Sequence, residues 1–125
     1  MPDRPPTHLF VYGTLQPGDV RWSFLEPFVV DDGHADTVAG RLFDTGLDYP
    51  AAVFGGKSTI VGRTYRLRGD NLDEALEVLD AEEDTVLGLY RRVQLDTGRG
   101  VRAWAYEYGD GLELTEIESG DWFRR

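Results

Sequence analysis

An α+β domain, built as a mixed barrel or curled sheet with helical cover, is predicted by three observations. Short runs of β-forming residues recur along the chain, each stopped by Gly, Pro or Asp. One segment, near residues 71–83, carries helical periodicity instead. The chain is 125 residues long, enough for one core and too short for two, so residues 1–125 are expected to form a single domain with residues 1–6 as a flexible lead.

The elements follow in order. His8-Leu9-Phe10-Val11-Tyr12 is a run of β-formers stopped by Gly13 and reads as a buried strand. Thr14 to Asp19 is a loop with Pro17 and Gly18 in turn positions. Trp22, Leu25 and Phe28 mark one or two helical turns, which Pro27 interrupts. From Phe28 to Phe43 the chain reads as strand, turn at Asp31-Asp32-Gly33, and strand again. Tyr49 to Phe54 is a short strand ended by Gly55-Gly56. Thr59 to Leu67 is the clearest alternating strand, with Gly62 marking a bulge or a close backbone approach.

Asn71, with Glu74 three residues on, opens the predicted helix with a capping-box-like start. Leu72, Ala75, Leu76 and Leu79 then share one face. Two further strands, about Leu89 to Leu95 and Val101 to Tyr108, are joined by a turn at Asp96-Thr97-Gly98-Arg99-Gly100. Gly109 to Arg125 reads as an acidic tail with Trp122 and Phe123 near its end.

Composition narrows the function classes. With 41% hydrophobic residues the chain can fill a core and is not a disordered segment. Against 23 acidic residues there are 13 basic ones, for a net charge of −10. That field disfavours nucleic-acid and anionic-membrane partners, both of which require a basic footprint. The absence of Cys excludes a thiol nucleophile and Cys-ligated metals. Apolar runs reach only four residues, and the Pro-rich start has no apolar segment of the kind a signal peptide needs. A soluble cytoplasmic protein is the resulting expectation.

Three places carry chemistry. On the helical wheel Glu83 lies eleven residues from Leu72 and so shares the azimuth of the apolar stripe. A carboxylate aimed at a core must be paired, protonated or at work. Periodicity leaves a second reading open, in which the helix ends by Ala81 and Glu83 is solvated in an acidic turn. The Tyr12-Gly13-Thr14-Leu15 junction offers free backbone N–H groups and a hydroxyl, which suit an anionic or carbonyl oxygen, or it is an ordinary strand exit. Of Arg91 and Arg92, alternation turns one inward, where it can neutralise a buried acid, or both are surface residues. His8 and His34 lie far apart, without metal spacing or an Asp partner, so neither a zinc site nor a Ser-His-Asp triad is supported.

Eight blocks in order resemble the γ-glutamylcyclotransferase-like family, which includes the plant avirulence-induced proteins. They are Phe10 to Leu15, Gly40 to Phe43, Tyr49 to Ala51, Gly62 to Tyr65, Leu79 to Glu83, Tyr90 to Val93, Ala103 to Tyr106 and Ile117 to Trp122. The resemblance implies a small mixed-strand β-barrel with flanking helices, and a pocket where the Tyr-Gly-[Ser/Thr]-Leu loop faces a glutamate. By its motifs Glu83 corresponds to the family's general acid/base, and Tyr12, Gly13, Thr14, Leu15, Tyr90 and Arg92 to the substrate-binding residues. The implied reaction releases 5-oxoproline from a small-molecule γ-glutamyl amine or peptide, by attack of the substrate's own α-amine, and needs neither metal nor organic cofactor. Asp84 follows Glu83 where many members have Gly, which sets a second carboxylate beside the first. The alternative on the same barrel is a non-catalytic small-molecule-binding or interaction module.

Overall fold

The computed structural model describes residues 6–12, 26–30, 33–45, 50–68, 73–74, 76–77, 90–108 and 114–122, with the backbone alone at 50, 90, 91 and 108. Six strands are present: β1 His8–Val11, β2 His34–Asp44, β3 Pro50–Arg66, β4 Tyr90–Asp96, β5 Arg102–Tyr108 and β6 Thr115–Ile117. They form one sheet in the order β4-β5-β1-β3-β2-β6. The β1–β5 pair is parallel and the other pairs are antiparallel.

Alternation along the strands splits the apolar residues into two clusters, one on each face of the sheet. Phe10, Val38, Leu42, Ala52, Ile60, Ala103, Ala105, Ile117 and Trp122 fill the concave inner side, joined by Tyr12 just after β1. Leu9, Val11, Ala51, Tyr65, Leu67 and Tyr106 face the other way and are covered by Val29 and Leu76. Burial on both faces explains why β1 reads as a continuous apolar run rather than an alternating one.

The sheet curls, and side chains and turns hold the curl. The β4–β5 turn crosses to β2, where the Gly98 N–H donates to the Thr37 carbonyl at 2.7 Å. A Cβ on Gly98 would stand 2.3 Å from Thr37 Oγ1, so any larger residue there would force the Thr37 hydroxyl aside. Asp36 is the latch. Its Oδ1 accepts from the N–H groups of Thr37 (2.8 Å) and Arg99 (3.1 Å), and its Oδ2 accepts from the Thr64 hydroxyl (2.8 Å). Burial pushes the Asp36 carboxyl up, but hydrogen bonds from Thr97, Thr64, Thr37 and Arg99 outweigh it and hold the group below its ordinary value.

Strand β3 is two strands in one. β2 pairs with it from Pro50 to Phe54 and again from Thr59 onward, and residues 55–58 are excluded from the ladder. Gly55 and Gly56 take φ of 102° and 83° there. Because the excursion contains an even number of residues, Phe54 and Ile60 both stay on the inner side. At Gly62 the ladder is uninterrupted, and a Cβ would lie 2.2 Å from the Val11 carbonyl oxygen, so of the two readings of this glycine the close approach holds.

The expected architecture holds in part. The barrel is a curled half-barrel, since the strand order ends at β4 on one side and β6 on the other. The flanking helices are not confirmed: helical structure among the described residues is limited to a 3₁₀ turn at Glu26–Phe28, to Asp73, Glu74, Leu76 and Glu77, and to Trp122. Most of the predicted helix lies outside the described residues. The tail adds a strand that alternation did not reveal, because β6 has only three residues and just one of them, Ile117, is buried. Arg41 on β2 ties it down by pairing with Glu116. Beyond β6, Gly120 at φ +68° accepts from the Val61 N–H at 2.7 Å and seats Trp122 in the inner cluster. Of the N-terminal lead only Pro6 is described; it is buried, and its carbonyl accepts from Trp104 Nε1 at 2.8 Å.

Candidate active site

Strand β1 ends between β3 and β5, and side chains bridge the seam it leaves. Tyr12 is buried with its ring edge-on to Phe54, the centroids 6.2 Å apart. Its hydroxyl donates to the Tyr106 carbonyl at 2.5 Å, which fastens the end of β1 to β5. The Phe54 N–H, beside the 55–58 excursion, donates to Glu107 Oε2 at 3.0 Å and joins β3 to β5 across the same seam. In an open sheet, the crevice where a strand leaves its neighbours is a natural place for a ligand.

Tyr106 is where the candidates converge. Its carbonyl accepts the Tyr12 hydroxyl's hydrogen bond, its side chain belongs to the cluster that contains Leu76, and its register partner on β4 is Arg92. Arg92 is half-buried, with its guanidinium 4.4 Å from the Trp104 ring centroid. A cation over an indole face is attracted by the ring quadrupole, so Trp104 sets where this charge stands. Arg92 and Tyr106 share the covered face, whereas the Tyr12 ring lies on the inner side. The structure thus brings Tyr12 and Arg92 to one strand, β5, from opposite faces.

Tyr90 opens β4 opposite Tyr108, and Arg91 pairs with Glu107; only their backbones are described. Gly13, Thr14, Leu15 and Glu83 lie outside the described residues, as does Asp84. The pairing of the Thr-Gly loop with the glutamate therefore rests on the sequence.

Two acids escaped the sequence reading. Glu107 shares its alternation with the inner residues Ala103 and Ala105, and Asp36 shares its own with Val38. An acid in phase with an inward apolar stripe was the available signal at both positions.

Comparison with known proteins now identifies the family. The sequence profile described as γ-glutamyl cyclotransferase, AIG2-like, matches residues 9–124. A Halalkalibacterium halodurans protein, provisionally named a γ-glutamylcyclotransferase, is 36% identical over 90 residues, covering 68% of this chain and 79% of its own. An uncharacterised protein from Pyrococcus horikoshii superposes with a TM-score of 0.68 at 26% identity, over 92% of this chain and 88% of that one. A mouse AIG2-like protein shares the fold, with a TM-score of 0.65 at 20% identity, over 90% of this chain and 86% of its own. The chain belongs to the γ-glutamyl cyclotransferase, AIG2-like family.

Proposed function

We propose that the protein is a γ-glutamylcyclotransferase-type enzyme that releases 5-oxoproline from a small γ-glutamyl amine or peptide, with Glu83 as general acid/base. The observation that carries this reading is the family match over residues 9–124, which contains all eight motif blocks, from Phe10 to Trp122.

In this mechanism Glu83 takes a proton from the substrate's α-ammonium. The freed amine attacks the γ-carbonyl carbon, and the resulting oxyanion is held by backbone N–H groups of the Gly13-Thr14-Leu15 loop. Collapse of the tetrahedral intermediate breaks the γ-amide bond; Glu83 returns its proton to the departing amine and takes the second proton from the ring nitrogen, which leaves the neutral lactam N–H. Ring closure is intramolecular, so the protein's main task is to hold the substrate folded. Tyr12, anchored to Tyr106, supports that task by fixing where the loop begins. Tyr90 and Arg92 are assigned to substrate binding by the family motif, Arg92 as the charge for a substrate carboxylate.

The test is direct. Purified protein is incubated with γ-glutamyl dipeptides and γ-glutamylamines, and 5-oxoproline and free amine are measured together. Equal amounts of both, with none from α-linked glutamyl dipeptides, are expected. Failure on every γ-glutamyl amine offered would favour the non-catalytic binding module.

A further inference from the structure

The inner side of the half-barrel has a second mouth, at the end of β1 away from Tyr12. His8 opens β1 and Tyr12 follows its last residue, so the two lie four residues apart, about 13 Å along a strand. A cavity of about 220 Å³ occupies this mouth, lined by His8, His34, Asp36, Thr64, Arg66, Arg99 and Val101. At about 30 Å³ per water in the liquid, it has room for about seven waters, more than one phosphate group fills.

Strand register explains why these residues meet. His8 stands directly opposite Arg66 on β3, and His34 directly opposite Thr64, two residues earlier on the same strand. Both histidines of the chain therefore face one cavity, although 25 residues separate them in sequence. The β4–β5 turn brings Arg99 over the top, held by its own N–H on Asp36.

The charge balance selects the ligand. Asp36 is the cavity's only described acid, and both its oxygens are engaged by Thr37, Thr64 and Arg99, so it organises the wall. Among the described residues, neither the Arg66 nor the Arg99 guanidinium has an ion-pair partner. Two guanidinium charges against one carboxylate leave the lining positive even with both imidazoles neutral. This occurs on a chain of net charge −10, where a local excess of cations is against the overall field. Other charged groups nearby are already engaged: Arg63, on the reverse face of β3, donates to the Gly33 carbonyl at 3.2 Å, and Arg102 pairs with Asp96 at the base of the turn at 3.5 Å.

We propose that this mouth binds a small phosphate-bearing anion, with Arg66 and Arg99 supplying the charge and His8 and His34 standing beside them in the lining. Guanidinium groups suit tetrahedral oxyanions because their N–H donors engage two oxygens at once. Val101 lines the cavity beside them and offers an apolar surface to the carbon portion of a phosphate monoester. The site lies at the opposite end of β1 from Tyr12, and its test needs no turnover.

Since the chain has two histidines, the imidazole C–H resonances of the untagged protein report on this cavity without interference. Sulfate is the first probe, because it is a tetrahedral dianion at neutral pH and presents its oxygens as a phosphate group does. Against chloride at equal ionic strength, sulfate should move both imidazole signals saturably, and chloride should not. Glycerol 3-phosphate should compete for the same site and bind more tightly than sulfate. The double variant Arg66→Gln/Arg99→Gln should lose the saturable effect while keeping the wild-type near-UV circular dichroism. Arg102→Gln, outside the cavity lining, should leave it intact. Equal shifts in chloride, or a folded double variant that still responds to sulfate, would overturn the proposal.

Discussion

Replacing Asp36 should reveal how much of the curl depends on one carboxylate. Asp36 is 5% exposed and accepts hydrogen bonds from β2, β3 and the β4–β5 turn. Asp36→Ala removes the acceptor but leaves the Thr64 hydroxyl, itself buried, and the Arg99 N–H without it. Hydrogen bonds to charged groups contribute about 1.5–3 kcal/mol each, and they are not additive within one network. A loss of about 3–4 kcal/mol follows, a large share of the roughly 5–15 kcal/mol that holds a domain folded. With about 2.1 cal/mol/K of unfolding entropy per residue, this lowers Tm by about 10–15 °C. Asp36→Asn keeps one carbonyl oxygen for Thr37 and Arg99 and should cost about half as much.

The pH dependence has a definite sign. The folded Asp36 carboxyl lies below its ordinary value, so its contribution is fully present above the unfolded value of about 3.9 and is lost as pH falls through the folded one. The stability gap between wild type and Asp36→Asn should therefore be constant from pH 7 to 5 and shrink below about pH 4. Guanidinium unfolding followed by tryptophan fluorescence at pH 7, 5 and 3 measures both effects. An alanine variant within about 0.5 kcal/mol of wild type at pH 7, the range of an ordinary surface change, would refute the latch. So would a gap to the Asn variant that did not change down to pH 3.

Gly120→Ala should destabilise the fold by about 2–4 kcal/mol, because its Cβ would stand 1.9 Å from the Thr59 carbonyl oxygen at a positive φ. Gly100→Ala, also at positive φ but in open space, should cost only about 1–2 kcal/mol, and thermal melts compare the two. Tyr12→Phe removes the donor to the Tyr106 carbonyl and should cost about 1–2 kcal/mol. On the proposed reaction it should also lower kcat/KM by loosening the start of the loop. Glu83→Gln should lower kcat by about 10²–10⁴-fold with much less change in ligand binding, whereas Glu82→Gln, about 100° round the predicted helix, should be nearly silent in the same 5-oxoproline assay.

Period-two alternation made most of the sheet legible in the sequence. The hairpin of β4 and β5 falls where Asp96 to Gly100 place its turn, and β2 begins directly after the Asp31-Asp32-Gly33 turn. What escaped was non-local. Ile117 belongs to a strand only because β2 lies beside it, and Thr115 and Glu116 present an exposed polar surface that hides the pairing. The meeting of His8 and His34 depends on both being paired to β3, and no spacing rule along one strand contains that information. Of the candidate site, Tyr12 and Arg92 were legible as motif positions. Their shared dependence on Tyr106 was not, because a backbone carbonyl carries no sequence signature.

The place of β1 in the sheet has a consequence for how the chain reaches its native state. The β2–β3 and β4–β5 pairs join neighbouring segments, so each can form with a modest loop-closure cost. β1 is near the start of the sequence yet lies between β3 and β5, with Leu9 against Trp104. On the ribosome, β1 is made before the other five strands and must wait for β5 before its second neighbour exists. Until then β1, paired to β3 alone, exposes an unpaired edge, and such edges invite pairing with another chain. Folding should accordingly be slow for a domain of this size, limited by insertion of its earliest strand, and a chain truncated before β5 would retain an apolar strand paired on one side only.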